Sequence, residues 1–197
     1  MSFTTAARNA MLGGFTGTHL SAHTAYSSTG TNEVTGGTPA YARKSVTYGA
    51  AASEIRTASN TPTFDIPAAT TVRWIGMWDA VTAGNFLGMI ANGGTEQEFS
   101  VDLTANTVKI PAHGLVADQK IAFYGDTTPG GLTEGTVYFV RPTVTTDTFQ
   151  VGATAGGAAI DLTTEPGRKC VMAVIVEETF GAQGTLAVSP HTIRLDA

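Results

Sequence analysis

At 197 residues, with 42% hydrophobic side chains and a mean hydropathy of +0.07, the chain can bury a core, which excludes a disordered tail. Charged residues make up 14% and the formal net charge is −5, from 11 basic and 16 acidic side chains. A nucleic-acid surface needs clustered Lys and Arg, and only Arg43-Lys44 and Arg168-Lys169 are adjacent pairs, read as solvated strand ends; no nucleic-acid partner is expected.

In chain order, Phe3, Ala6, Ala7, Ala10 and Met11 recur at helical spacing. Ser2 or Thr4 can cap this helix and Gly13-Gly14 stops it, so its apolar stripe is expected to pack on the rest of the protein. Beyond it the texture is β. Thr takes about a sixth of the chain and favours half-buried strands, while 23 Gly residues supply turns. Strands are predicted at 19–26, 42–50 and 63–66. The segment TVRWIGMWDA (71–80) is the strongest, with Val72, Trp74, Gly76 and Trp78 on one face as core. NFLGMI follows.

From Phe99 onward the strands come closer together: Phe99-Val101-Leu103, Val108-Ile110, Ile121-Phe123, Val137-Phe139, Phe149-Val151 and Ile160-Leu162. Turn residues separate them, as in a small antiparallel barrel or sandwich. CVMAVIVEE, TLAVS and TIRLDA close the chain. The flanks of this middle region each look incomplete, and together they make one sandwich. The expected fold class is therefore all-β: an antiparallel, jelly-roll-like β-sandwich with a short N-terminal helix and an inserted small β-barrel or sandwich module. Residues 1–94 plus 170–197 are read as the anchoring sandwich and 95–169 as the insert.

Chemistry is sparse. His19 and His23 fall on a strand, too far apart along it to share one metal, and no cysteine cluster, HExxH or carboxylate-rich calcium loop occurs. No metal site and no cofactor are expected. GxSxG and GxxxxGK[ST] are absent, and Glu177-Glu178 or Asp65 with Asp79, candidates for a glycosidase pair, read better as strand-end charges. No enzyme activity is expected. The lone Cys170 reads as a buried thiol. The N-terminus lacks a signal-peptide core and no apolar run is long enough to span a bilayer, so a soluble protein without membrane insertion is expected. PAHGL (111–115) reads as a tight turn rather than the edge of an active site, with Gly114 at positive φ and His113 bonded to nearby backbone.

The order HTAY, TNEVTGGTPAYARKSVTY, FDIPAATTVRWIGMWDA and NFLGMI resembles bacteriophage structural proteins described as tail-fibre or minor tail proteins. The likeness covers about residues 1–94 plus 170–197, and VTGGTPAYAR is its most specific string. The middle portion, with ANTVKIPAHGL, GLTEGTVYFV, TDTFQV and TAGGAAIDLT, is similar to a small β-module of phage fibre and tail proteins. The resemblance implies a structural virion component assembled in the host bacterial cytoplasm, most simply a tail- or collar-associated fibre or adaptor. Other tail, collar or capsid proteins would be its partners, and a homo-oligomer, with a trimer favoured, would be its state. Capsid decoration is one alternative. Host-surface glycan binding is another, for which Tyr124, Asp126, Thr127 and Thr128 form the candidate exposed contact loop. A depolymerase would need β-helical repeats, which are not visible.

Overall fold

The computed structural model describes residues 3–189 and 191–194, so Ser2 and the end of TIRLDA lie outside the described residues. The chain divides into two compact units. The first comprises Met1–Thr24, Ser28–Met89 and Glu178–Ala197; the second comprises Ala25–Ser27 and Ile90–Glu177. Both are built from antiparallel strands, and the described residues contain one helix. Among the described residues, no sheet closes into a barrel.

In the first unit, helix α1 (Thr5–Gly13) begins where Thr4 Oγ1 accepts a hydrogen bond from the Ala7 N–H at 3.3 Å. Its packed face is not the expected apolar stripe. Arg8 Nη2 donates to Glu54 Oε1 at 2.6 Å, the Glu54 N–H donates to Asn9 Oδ1 at 2.8 Å, and Leu12 is the buried residue. Phe3 and Met11 are 51% and 44% exposed. Long-range polar bonds orient the helix here, and local periodicity carries no trace of them.

A four-stranded sheet follows, in the order β2 (Lys44–Ser45), β1 (His19–His23), β6 (Trp74–Trp78), β7 (Phe86–Ala91). Every residue of β6 is buried, on both faces. The strand expected over 42–50 shrinks to β2 plus a bridge between Tyr48 and Ala58. The strand expected over 71–80 breaks at Arg73, where β5 (Thr70–Val72) gives way to β6. The Arg73 N–H donates to His23 O at 3.0 Å, which transfers the chain from one partner strand to another.

Three ribbons pair the two distant stretches of this unit. β3 (Ile55–Thr57), β4 (Thr63–Ile66) and β5 pair with β17 (Thr192–Arg194), β16 (Gly184–Ala187) and β15 (Glu178–Phe180) respectively. One register runs from Val72–Glu178 through Thr70–Phe180 to Thr63–Ala187, and it slips by one residue before Thr57–Thr192. The three ribbons are thus one interrupted antiparallel ladder, in which 178–194 retraces 55–72.

The second unit is a sandwich of two sheets. One orders β13 (Val151–Gly152), β11 (Tyr138–Val140), β10 (Lys120–Tyr124) and β14 (Val171–Val174); the other orders β12 (Thr148–Phe149), β9 (Thr107–Lys109) and β8 (Ser100–Asp102). Val101, Val108 and Phe149 from the second sheet join Ile121, Phe123, Val140 and Met172 from the first in one core cluster. The strand expected at 160–162 does not form. Instead the Leu162 N–H donates to Asn106 Oδ1 at 3.0 Å, and Leu162 is buried as a loop residue.

Candidate functional site

The expected contact loop starts at the end of β10. Tyr124 is not part of any exposed surface: it is 3% exposed, its hydroxyl donates to Glu96 Oε1 at 3.1 Å, and its ring lies 5.9 Å from that of Tyr26. Burial, followed by the Glu96 charge, raises its phenol pKa well above the ordinary value. Asp126 and Thr127 are exposed and Thr128 is half-buried. The loop is tied down along 163–167. The Gly167 N–H donates to Thr127 O at 2.7 Å, Thr163 N–H to Gly130 O at 3.0 Å, and Gly130 N–H to Thr164 Oγ1 at 2.8 Å. What remains for a ligand is one carboxylate and one hydroxyl, without an aromatic platform.

Beside this loop, Tyr26 donates to Glu134 Oε1 at 2.7 Å, an oxygen that also accepts from the Gly125 N–H at 3.1 Å. The Tyr26 ring covers Gly135, where an added Cβ would fall 2.1 Å from Tyr26 Cγ. Cys170 is buried, and burial pushes its thiol pKa up to about 12, which leaves it inert as a nucleophile. The His113-Gly114 turn takes its expected form. Gly114 has φ +65°, and the Leu115 N–H donates to His113 Nδ1 at 2.9 Å. His113 itself is buried, edge-on to Phe149 with ring centroids 5.2 Å apart.

The carboxylates considered as a glycosidase pair have separate partners. Asp65 meets Lys44 at 3.2 Å and Glu177 pairs with Lys120, while Asp79 accepts from the backbone and side-chain amides of Asn85, both at 2.7 Å. Among the described residues, no three His, Cys, Asp or Glu side chains gather in a group that could hold a metal ion. No helix among them is long and apolar enough to cross a membrane.

One cluster in the first unit was not foreseen. His23 Nδ1 lies 2.8 Å from Thr31 O, which can only accept, so Nδ1 carries the proton and Nε2 accepts from the Ser21 hydroxyl at 2.6 Å. Trp78 Nε1–H donates to Ser21 Oγ at 2.8 Å, completing a directional chain from indole to hydroxyl to imidazole to backbone. A Ser–His contact of this length resembles an activated nucleophile. Both residues are 0% exposed, however, and Gly76 presses so closely that an added Cβ would lie 2.6 Å from each of their polar atoms. The cluster is a polar core contact that fixes β1 against β6. The legible signal was Ser21-x-His23, two polar residues on one strand face opposite Gly76.

The segment 33–44 forms a strap over the same sheet. Arg43 holds Glu33 through Nε at 3.0 Å and Nη2 at 2.8 Å, donates to Ala83 O at 2.8 Å, and stacks on Trp78. Arg43 is therefore a packed side chain, not a solvated strand end. Tyr41 stacks on Phe64 at 5.8 Å and its hydroxyl accepts from the Ala22 N–H at 2.8 Å. Gln183 bridges the strap's turn, accepting from Thr38 N–H and donating to Pro39 O, both at 2.7 Å. Within VTGGTPAYAR, the Tyr41 and Arg43 side chains and the backbone of Thr38 and Pro39 thus have partners in this unit.

A family model described as podophage GP4 fiber I protein gp80 matches residues 4–116, more than half of the chain. The chain belongs to this phage fibre family. It is accordingly a fibre-type structural protein of the virion. The match takes in α1, the strap and the sheet strands β1, β2, β6 and β7. It then continues past residue 94 through β8 and β9 to the His113-Gly114 turn, further than the resemblance drawn from the sequence, which stopped near 94 before resuming at 170. The 124–128 loop lies outside the matched residues. No curated protein and no solved structure matches the chain.

Proposed function

We propose that this fibre protein is a tail- or collar-associated fibre or adaptor component that docks to the particle through its first unit and projects the second. The observation that carries this reading is the family match, which spans most of the first unit's continuous stretch. The strap adds support: Glu33, Tyr41 and Arg43 are bonded within the unit, which ties 33–43 to the sheet as part of a scaffold. The first unit's residues lie on both sides of the second in sequence, which supports reading the second unit as an insertion. No catalytic role is proposed. Its partners are other virion proteins and further copies of itself. Glycan contact through Asp126, Thr127 and Thr128 is the weaker reading, because the buried Tyr124 offers no stacking face.

The test is a phage carrying a deletion of this chain, with purified protein added back. The proposal expects particles that lack a tail- or collar-proximal appendage and regain it on addition. Deletion particles indistinguishable from the parent in composition and appearance overturn it.

A further inference from the structure

The bonds around His23 leave no place for a second proton on its ring. Nδ1 already carries one, donated to Thr31 O at 2.8 Å, and Nε2 accepts from the Ser21 hydroxyl at 2.6 Å. Ser21 Oγ also takes the Trp78 indole N–H at 2.8 Å. Protonating Nε2 makes that nitrogen a donor. The Ser21 hydroxyl then loses its acceptor and faces two N–H groups, and Ser21, His23 and Trp78 are all buried.

The two edges of β1 are unequally held. Along one edge β1 pairs with β6 at every residue, from His19–Trp78 to His23–Trp74, and Gly76 packs so closely that an added Cβ would lie 2.6 Å from His23 Nε2. Along the other edge the strap meets His23 through the isolated bridge His23–Glu33. The Val34 N–H donates to Ala22 O at 2.9 Å there, and the Ala22 N–H to the Tyr41 hydroxyl at 2.8 Å. The titratable and charged groups around the ring lie mostly on this side. Glu33 and Tyr41 belong to the strap, and Arg43 grips Glu33 through Nε and Nη2. Arg73, just before β6, donates from its backbone to His23 O and from its guanidinium to Thr24 O, both at 3.0 Å. β6 and β7 bring Trp74, Trp78 and Phe86, which do not titrate.

We infer that His23 is an acid-operated catch for the strap: uptake of one proton at Nε2 frees the strap from β1 while β1, β6 and β7 stay paired. The proton cannot be relieved toward Gly76, so the ring gives way on the side held by a single bridge. Once charged, His23 also competes with Arg43 for the Glu33 carboxylate, which loosens the strap's own fork. Burial holds the closed imidazole below its ordinary value; the Thr31 carbonyl and Glu33 oppose that shift, and Arg43 adds to it. An open strap returns the ring to water and to ordinary proton affinity. Opening therefore takes up a proton and is favoured as pH falls.

The experiment is amide hydrogen exchange on the full-length chain as pH is lowered from neutral, corrected for intrinsic rates, for wild type and His23→Gln. The glutamine oxygen takes over the bond from Ser21 and does not titrate. In the wild type, the Val34 and Tyr41 amides are expected to exchange through smaller openings than those of 74–78. Their protection should fall about tenfold per pH unit below the ordinary histidine value of about 6.5, and level off at the His23 midpoint read by NMR. His23→Gln should abolish that slope. Strap protection independent of pH overturns the inference, as does a slope that persists in His23→Gln, which assigns the proton to another group such as His191. So does a wild type in which Val34 and Tyr41 exchange no faster than 74–78, because release is then global unfolding. If His23→Gln does not fold, the wild type decides alone, and a slope that ends away from the His23 midpoint overturns the inference.

Discussion

The guanidinium of Arg43 lies 3.4 Å from the centroid of the Trp78 ring while its Nη2 holds Glu33 at 2.8 Å. One planar side chain therefore joins the strap to the central strand of the sheet, with little of it in contact with water. Removing it leaves the Glu33 carboxylate with the Tyr41 hydroxyl at 3.3 Å in place of a charged partner, and uncovers the indole. Arg43→Ala is expected to cost about 3 kcal/mol in chemical denaturation. Arg43→Lys should recover only part of that, because an ammonium has neither the fork nor the plane. A lysine variant as stable as wild type would show that charge alone matters.

The indole–Ser21–His23 chain predicts acid sensitivity. Burial lowers the His23 pKa; the Thr31 carbonyl and Glu33 oppose that shift, and Arg43 adds to it. The folded chain then binds this proton more weakly than the unfolded chain. The stability involved is complete above the ordinary imidazole value, about 6.5, and is lost as pH falls below it toward the folded value. Burial lowers His191 in the same direction, so site-resolved NMR titration is the measurement to use. Both midpoints should lie below that of free histidine. Ser21→Ala should cost about 2 kcal/mol at neutral pH, since it leaves two buried groups without their bond.

Gly114 tests whether the turn after β9 needs its left-handed backbone. Its φ of +65° is combined with open space around the missing Cβ, so the cost of Gly114→Ala is conformational only, about 1 kcal/mol. His113→Ala removes a buried ring packed on Phe149 and should cost more, about 2 kcal/mol, while leaving assembly on the particle intact. Thermal unfolding of both variants compares the two, and a costlier Gly114→Ala would contradict this account.

Gly135 is the steric counterpart. An added methyl there would overlap the Tyr26 ring, which must then leave and break its bond to Glu134. Gly135→Ala should cost about 3 kcal/mol or more, combining φ strain at +67° with overpacking. Tyr26→Ala should relieve the clash, so the double variant is expected to lose less than the two single effects combined.

Strand positions were more legible than strand environments. Thr63–Ile66 appears as read, and the α1 start at Thr4 and stop at Gly13-Gly14 follow local capping rules. What local pattern could not show was coverage on both faces. Period-two alternation assumes one wet face, yet β6 is buried throughout and β10 nearly so, and this is why Tyr124, alternating outward from Phe123, is in fact enclosed. Long-range polar partners were equally hidden. Glu54 turns the helix over by holding Arg8, and Glu33 and Trp78 draw Arg43 inward, through contacts between residues up to 46 positions apart. The family was legible from strings in sequence, and the matched range includes the strap, whose Tyr41 and Arg43 side chains have partners in the fold.

Cryo-electron microscopy of the intact virion tests the central claim most directly. The account predicts density on the tail or collar into which the strap-bearing first unit fits against neighbouring virion proteins, with the second unit further out. Purified particles that contain no copies of the chain, by density and by mass spectrometry, would contradict it.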